Sequence, residues 1–515
     1  MIDLRRQYVD ATRTIQRTIE RTVRRMPRVL IDTTTGCLLD KTQQVAAFEK
    51  HPIYDELRSS MTTRLDNERI RREVKNFYRY VMFSHTWEDG EPLFHMVEKI
   101  SVYELEFSSP NIKLKTFCTL TRTLGFRWAW SDTCCIDKGD SVILQESLVA
   151  MFTWYRGSSL TIVYLRGVGS QLKQPGALRR SIWNTRAWTY PEYVAAETVQ
   201  FFTEDWQPYL GLDMYNHKES PTIVSEMQQV MGDCIGELAV LRPGLERVRE
   251  KLHLASMRRT SFVEDAAYSL FGVFNIAIPV VYGEGARAVG RLLEHILTGS
   301  GDVTILAWTG HAGNYNSYLP TDLTVYDQLI PPHVPQPIEM AEMDLMVMKL
   351  RSSSPHIALI QTLYNRLRHL PSPTLAARRL QLPGIVFRLT KPVRTSGPDP
   401  VTKFHTYRVR TPTLGVIEVK TAENLGRMND LYLVHPWIRP LLDQEFSYGA
   451  AALDETTQAL HFIVRLRQPF GALLFEPVSR VEYRRVAADS LIMVQICEDA
   501  PLTDLIDNVR TIDVL

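Results

Sequence analysis

Three short polar segments hold the residues that could do chemistry in this chain: Ser84–Gly90, Asp132–Asp140 and Asn184–Glu192. Each combines carboxylates with small hydrogen-bonding side chains, and a tryptophan lies within it or directly beside it. Indole faces can stack on a planar ligand, and serine or backbone groups can bind its ribose or phosphate edges. The segments therefore predict a site for a planar, polar ligand if the fold brings them together.

Other kinds of chemistry find less support in the residue pattern. Ser84 with His85 suggests a catalytic pair, but a capped turn is the commoner arrangement and no third triad member follows at a recognisable spacing. His85 and His95 lack the neighbouring ligands of a metal motif, so we expect no metal site. Gly283–Gly285 has neither the ending of a P-loop nor dinucleotide-fingerprint spacing, and it predicts a tight turn.

Each residue of the three segments also has a purely structural interpretation. Asp132 and Asp137 could cap the helix that follows them. Trp183 and Trp188 are more often core residues than part of a ligand site, and a lone Glu192 is usually solvated or ion-paired. The binding interpretation depends on the elements that position these residues.

The elements before the segments are predicted by short apolar runs and by helical spacing. Tyr80–Phe83, Arg127–Ser131 and Leu160–Leu165 are predicted strands, separated by predicted helices at Lys113–Leu124 and Leu144–Tyr155. Another predicted strand spans Thr198–Phe202. This alternation favours a parallel sheet with helices on its faces, in which ligands bind outside the carboxyl ends of the strands. All three polar segments fall at that edge.

The flanking regions differ in character from this α/β region. The first 75 residues are polar and helix-friendly, with an amphipathic helix predicted over Tyr54–Arg72, and Thr222–Ser300 is mainly helical, with Ala286–Leu297 as one helix. Later strand-like runs suit a small β-sandwich or barrel: Gly384–Leu389, His405–Val409, Leu414–Val419, Leu431–Val434, Leu460–Val464, Leu473–Phe475 and Leu491–Ile496. The predicted domains are residues 1–75, 76–215, 216–310 and 311–515.

Composition and charge limit the class of protein. At 515 residues, with 45% hydrophobic and 23% charged residues, the chain is typical of a globular protein with several domains. Its 59 Lys and Arg balance 58 Asp and Glu, so net charge gives no attraction to nucleic acid or to an anionic membrane. Phe274–Tyr282 is too short to span a bilayer. Six cysteines without a CxxC pair and a start without a secretory signal predict reduced thiols and a cytoplasmic protein.

The three segments together resemble the three blocks of the fungal heterokaryon-incompatibility (HET) family. The first block appears as Phe83–Trp87 (FSHTW), the second as Trp130–Lys138 (WSDTCCIDK) and the third as Arg186–Glu192 (RAWTYPE). Ala255–Gly285 and Asp302–Trp308 resemble the stretch that follows HET domains in many fungal proteins. The resemblance covers roughly residues 80–308 and carries no assignment for the C-terminal β-rich region.

The resemblance implies a fold and an activity. HET proteins act in self/non-self recognition and programmed cell death, and the HET domain is considered distantly similar to TIR domains, which have a flavodoxin-like α/β fold. Some TIR domains hydrolyse NAD through a glutamate in a Trp-Cys-x-x-Glu helix. Glu192 is then the candidate catalytic carboxylate, with Ser84, Trp87, Asp132 and Trp188 lining the pocket.

Three hypotheses remain open from the sequence. The chain could be a non-enzymatic signalling module of incompatibility and cell death, a TIR-like NAD glycohydrolase, or a regulatory member that mainly binds partners. NAD enters only as a substrate, and no resident cofactor is expected. Protein partners or self-association are expected, without nucleic acid and without a membrane span.

Overall fold

The structure is a computed structural model of the chain. It describes residues 2–60, 66–171, 175–231, 243–327, 340–353, 357–399, 403–428, 430–437 and 454–515. The chain forms two compact units: unit 1 comprises residues 1–244 and 258–280, and unit 2 comprises residues 245–257 and 281–515. Each unit is therefore built from two separate stretches of sequence.

Unit 1 contains a six-stranded sheet with the order β2-β1-β4-β3-β5-β6. The strands are β1 (Val29–Asp32), β2 (Leu38–Asp40), β3 (Tyr80–His85), β4 (Trp128–Trp130), β5 (Leu160–Leu165) and β6 (Val199–Thr203). The last four run parallel, whereas β1 pairs antiparallel with β2 and β4. Numbered along the chain, the parallel strands have the spatial order 2-1-3-4, as in a flavodoxin-like sheet without its fifth strand. The predicted parallel α/β fold is confirmed.

Helices α6 (Ser109–Thr123) and α7 (Ser141–Gly157) connect the first three parallel strands. Every residue of β3 and β5 is buried, which is why both strands are nearly continuous apolar runs. The cap of α7 is Asp140, whose carboxylate accepts hydrogen bonds from the backbone N–H groups of the first turn at 2.9 and 3.2 Å. The interpretation of Asp132 or Asp137 as this cap is therefore wrong.

Unit 1 also contains helices outside these connections. They are α1 (Ile2–Arg24), α2 (Lys41–Glu49), α3 (Pro52–Ser60), α4 (Asn67–Phe77), α5 (Phe94–Val97), α8 (Ala177–Arg180), α9 (Ile182–Thr185), α10 (Thr189–Ala195), α11 (Pro221–Met231), α13 (Asp265–Tyr268) and α14 (Phe271–Phe274). The predicted single helix over Tyr54–Arg72 is wrong, because α3 ends at Ser60 and α4 begins at Asn67. Cys118, Cys134 and Cys135 are buried free thiols, and Cys234 lies outside the described residues.

The described residues of unit 2 form ten strands in two sheets. They are β7 (Thr374–Ala376), β8 (Arg379–Arg388), β9 (Val393–Arg394), β10 (His405–Thr411), β11 (Gly415–Thr421), β12 (Tyr432–Pro436), β13 (Phe470–Pro477), β14 (Glu482–Val486), β15 (Ile492–Val494) and β16 (Val509–Val514). Strands β8, β12, β13, β14 and β16 pair in a closed ring, which gives a small barrel. Gly384 is required in β8, because a Cβ there would approach the His435 carbonyl oxygen to 2.5 Å.

Helices also belong to unit 2. They are α12 (Val248–Ser256), α15 (Arg287–Ser300), α16 (Met340–Ser353), α17 (Ile357–Arg368), α18 (Glu455–Leu466) and α19 (Leu502–Asn508). The predicted strand over Leu460–Val464 is wrong, because these residues lie inside α18. Asp454 starts α18 by accepting a hydrogen bond from the Thr457 backbone N–H at 3.0 Å. Among the described residues, no helix is long and apolar enough to cross a membrane.

Candidate functional site

The fold brings the three polar segments together at the carboxyl ends of the parallel strands. Ser84 is the penultimate residue of β3, and Asp132 follows the end of β4. Glu192 lies in α10, on the connection between β5 and β6. Strand β3 lies at the point where the sheet order reverses, which is where open α/β sheets bind ligands.

A buried hydrogen-bond network joins the first and third segments. The Ser84 hydroxyl donates a short hydrogen bond to the Glu192 carboxyl and accepts one from the indole N–H of Trp183 at 2.8 Å. The Tyr155 hydroxyl donates to the Phe83 carbonyl oxygen at 3.0 Å and also contacts Glu192. Ser84 and Trp183 are each 1% exposed and Glu192 is 7% exposed. Ser84 therefore lies inside a buried strand and does not form a capped surface turn.

The carboxyl group of Glu192 is held in its neutral form. Burial and the nearby negative charge of Asp132 raise the pKa of Glu192 to about 8, against the opposing effects of the Ser84 hydrogen bond and the Arg186 charge. Most molecules therefore carry a protonated Glu192 at pH 7. A neutral carboxyl in this position can donate a hydrogen bond as well as accept one.

Pro191 precedes Glu192 without disturbing its helix. It occupies the third position of α10, where backbone N–H groups have no intrahelical acceptor, so its missing donor costs no helical hydrogen bond. Trp188 sits at the cap of the same helix and lines a narrow cavity together with Glu192 and Tyr155. The free volume of this cavity is about 10 Å³, room for about one water molecule. The Glu192 side of the site is closed.

A second cluster around Asp132 reaches the surface. The indole N–H of Trp87, a residue that is 41% exposed, donates to the Asp132 carboxylate at 2.8 Å. The Lys138 ammonium lies 3.4 Å from the centroid of the Trp87 ring. Although burial acts in the opposite direction, the His85 hydrogen bond and the Lys138 charge lower the pKa of Asp132 to about 2. Asp132 is therefore ionised while Glu192 is neutral.

His85 connects this cluster to a buried group of charges. Its Nε2 lies 3.4 Å from Asp132 Oδ1 and its Nδ1 lies 3.6 Å from Glu91 Oε1. Lys113, whose side chain is 2% exposed, donates to Glu88 at 2.9 Å and to Glu91 through a short hydrogen bond. The carboxylates of Glu88 and Glu91 are thus compensated by Lys113, and His85 contacts Asp132.

Arg258 holds the third segment on the protein. Its guanidinium donates to the Arg186 carbonyl oxygen and to Thr189 Oγ1, each at 3.1 Å, and to Asn184 Oδ1 at 3.0 Å. The guanidinium also lies over the ring of Tyr190, 5.2 Å from its centroid. The chain beside Arg258 pairs with the same segment through two backbone hydrogen bonds of 2.7 and 2.9 Å. These contacts fix the backbone that leads into α10.

The structure brings together several residues that the sequence nominated, and it adds neighbours that the sequence did not. The Ser84–Glu192 and Trp87–Asp132 contacts join residues that the sequence had nominated. Trp183 is buried, yet its indole N–H is part of the network, a role that residue type alone does not reveal. Lys138 lies within the second family block, close to Asp132 in sequence. This proximity was the one sequence signal that could have nominated Lys138 as a neighbour of Asp132. No group of three His, Cys, Asp or Glu in the described chain has metal-binding geometry.

The comparisons with known proteins identify the family that part of this chain resembles. Residues 80–176 match the family model described as "Heterokaryon incompatibility protein (HET)". The chain therefore contains a HET domain, whose matched part holds the Ser84 and Asp132 segments.

A relative supports the same assignment. The vegetative incompatibility protein HET-E-1 of Podospora anserina is 30% identical over 230 residues. The aligned region covers 42% of this chain but only 16% of that relative, so the chain spans a small part of its length. No solved structure matches the chain.

Proposed function

We propose that this chain is an effector of heterokaryon incompatibility, in which the HET domain passes on a cell-death signal after contact between cells of different genotype. The observation that carries the proposal is the convergence of the three blocks: Ser84 of the first block bonds Glu192 of the third in a buried network, and Trp87 of the first block bonds Asp132 of the second. The similarity to a vegetative incompatibility protein gives the biological setting. A signalling module of this kind would act through protein contacts or self-association, inside the cytoplasm.

The closed cavity beside Glu192 favours a signalling module over an enzyme. The cavity beside Glu192 has room for about one water molecule, so this side of the site is packed. Because Glu192 is protonated, glutamine is close to it in shape, charge and hydrogen-bonding ability. Glu192→Gln therefore keeps the network while removing the acid. This substitution separates a structural from a chemical role.

The test is inducible expression in a filamentous fungus, with survival scored by dye exclusion before and after fusion with a strain of different genotype. We expect the wild-type chain to kill cells and Glu192→Gln to kill equally well. Glu197→Gln, the same chemical change on an exposed residue, is the matched control. Unchanged survival with the wild-type chain, at a level verified by immunoblot, contradicts an effector role.

A second candidate function, NAD glycohydrolysis, is favoured by the position of Glu192 beside Ser84 at the carboxyl ends of the strands. In this reaction water and NAD⁺ give nicotinamide, ADP-ribose and a proton. Positive charge develops on the ribose as nicotinamide leaves, and a carboxylate there would stabilise it. The charges of Arg186 and Lys138, both of which lie over the Trp87 ring, would attract the phosphates of NAD once the site opens.

NAD glycohydrolysis requires the site to open, so the test uses conditions that could promote opening through self-association. Purified full-length protein is incubated with NAD at increasing protein concentration and with a crowding agent, and nicotinamide is measured by chromatography. Turnover by the wild type and Glu197→Gln, but not by folded Glu192→Gln, would favour the enzyme over the signalling module. Absence of nicotinamide under all these conditions would exclude it.

A further inference from the structure

One Arg-Arg pair in the sequence precedes a serine at the spacing that basophilic protein kinases recognise. Of the seven such pairs, only Arg258-Arg259 has Ser or Thr two positions after it, and that residue is Ser261. Ser261 therefore has arginines three and two residues before it, and Phe262 follows it directly. Basophilic serine/threonine kinases select their substrates by complementary charge, through arginines at these positions. The spacing indicates a phosphorylation site.

The segment around Ser261 lies on the surface of unit 1. Ser261 and Arg259 are exposed, and the residues from 260 to 264 belong to no helix or strand. Phe262, which a kinase would contact directly after the serine, is 61% exposed. The backbone before the serine is already extended, because Arg259 pairs with the third segment in a parallel bridge. A kinase can therefore reach Ser261 and two of its recognition residues in the folded protein.

The remaining recognition residue, Arg258, is the one that holds the third segment. The hydrogen-bond acceptors described above, on Asn184, Arg186 and Thr189, are neutral oxygens. Burial lowers the pKa of Arg258 to about 10. A buried cation bonded to neutral groups gains free energy when an anion replaces those groups, because hydrogen bonds between two charged groups are stronger. An anion close to Arg258 would therefore compete for its guanidinium.

A phosphate on Ser261 would be such an anion. The Cα atoms of Arg258 and Ser261 are three residues apart and so at most about 11 Å from each other, a distance that an arginine and a phosphoserine side chain can span together. The phosphate carries about −1.5 to −2 charges and three acceptor oxygens, which suit the paired N–H groups of a guanidinium. Glu264 and Asp265, on the other side of the serine, would repel the phosphate. The phosphate is therefore attracted to the arginines before it.

We propose that Ser261 is phosphorylated by a basophilic serine/threonine kinase, and that the phosphate draws Arg258 away from the third segment and thereby loosens α10. In the reaction Ser261 Oγ forms a bond to the γ-phosphorus of MgATP, the bond from that phosphorus to ADP breaks, and the hydroxyl proton is released. The coupling is reciprocal, because release of Arg258 also completes the recognition motif. Since these contacts belong to unit 1 whatever its role, phosphorylation of Ser261 does not depend on either candidate function.

The test treats purified full-length protein with MgATP and the catalytic subunit of cAMP-dependent protein kinase, which is basophilic, and locates the phosphate by mass spectrometry. We expect phosphate on Ser261 in the wild type, none at that position in Ser261→Ala, and severalfold slower incorporation in Arg259→Gln. Thr260→Ala is the matched control, because it removes the neighbouring hydroxyl and should leave phosphorylation of Ser261 unchanged. A wild-type protein without phosphate on Ser261 overturns the proposal.

Amide hydrogen exchange tests the release of Arg258. Phosphorylation should accelerate exchange in α10 severalfold while leaving the buried strand β5 unchanged, and unphosphorylated Arg258→Gln should reproduce this pattern. If Arg258→Gln does not fold, Arg258→Lys replaces it, since lysine keeps the charge but loses the forked hydrogen bonds. Unchanged exchange in α10 after complete phosphorylation of Ser261 overturns the regulatory half of the proposal, as does unchanged exchange in the folded Arg258 variant.

Discussion

Replacing Glu192 with glutamine should remove a pH-dependent contribution to the stability of unit 1. The carboxyl has a pKa of about 8 in the folded protein, against the ordinary value of 4.5. Between these values the unfolded chain releases a proton that the folded protein keeps, so the free energy of unfolding falls as pH rises. Below pH 4.5 both states are protonated, and above pH 8 both are ionised, so the effect is confined to this window.

The magnitude follows from the size of the shift. Each pKa unit corresponds to about 1.4 kcal/mol, so the full window amounts to roughly 5 kcal/mol, of which about 3–4 kcal/mol falls between pH 5 and pH 8. The wild type should lose this much stability relative to Glu192→Gln over that interval. Other titrating groups are common to both proteins and cancel in the difference.

The assay is urea unfolding at pH 5, 6, 7 and 8, followed by tryptophan fluorescence. Seven of the nine tryptophans belong to unit 1, so the signal reports mainly on the unit that contains Glu192. Glu197→Gln should behave like the wild type, because its carboxyl is exposed. Parallel pH profiles for the wild type and Glu192→Gln would refute the idea of a neutral buried carboxyl.

Two further substitutions test the packing around the site. In Gly272→Ala the new Cβ would lie 2.1 Å from the Phe152 ring, so we expect the free energy of unfolding of unit 1 to fall by about 1–3 kcal/mol in urea. The control is Gly290→Ala, which has open space around the new Cβ and should be neutral or should stabilise its own helix. Arg258→Gln removes charge-assisted hydrogen bonds to the third segment and should cost about 2–3 kcal/mol, measured in the same way. Arg259→Gln, whose contacts to that segment are through the backbone, should cost less than about 0.5 kcal/mol.

The parallel sheet was predictable because its signal is local. Leu160–Leu165 was predicted with its observed bounds, since a strand buried on both faces must be apolar at every position. The strand predicted over Leu460–Val464 was wrong because the local signal there is ambiguous. The helix α18 has six buried positions without a clear period, and such a run fits a strand as well as a buried helix. Asp454, placed before the run as a helix cap, was the residue that could have decided it.

The site itself was only half predictable from sequence. Ser84, Asp132 and Glu192 could be nominated because strand ends in a parallel sheet converge. Their partners could not, since the Trp183–Ser84 and Arg258–Asn184 contacts join residues 99 and 74 positions apart, and nothing in the local sequence specifies such pairs. The charge states of the two carboxyl groups were equally hidden from the sequence. Asp132 is ionised because it meets His85 and Lys138, whereas Glu192 is neutral because it is buried beside the negative charge of Asp132.

The protonation of Glu192 also links the two candidate functions. At pH 7, ionising a carboxyl of pKa about 8 requires about 1.4 kcal/mol of free energy. The attraction of one nearby positive charge can offset this amount. The nicotinamide ring of NAD⁺ carries such a charge, so its arrival would favour the ionised form and an opened network. In its absence the neutral carboxyl keeps its hydrogen bond with Ser84 in the packed state. Retained killing by Glu192→Gln therefore identifies the packed state as the active one, and lost killing identifies the ionised carboxylate.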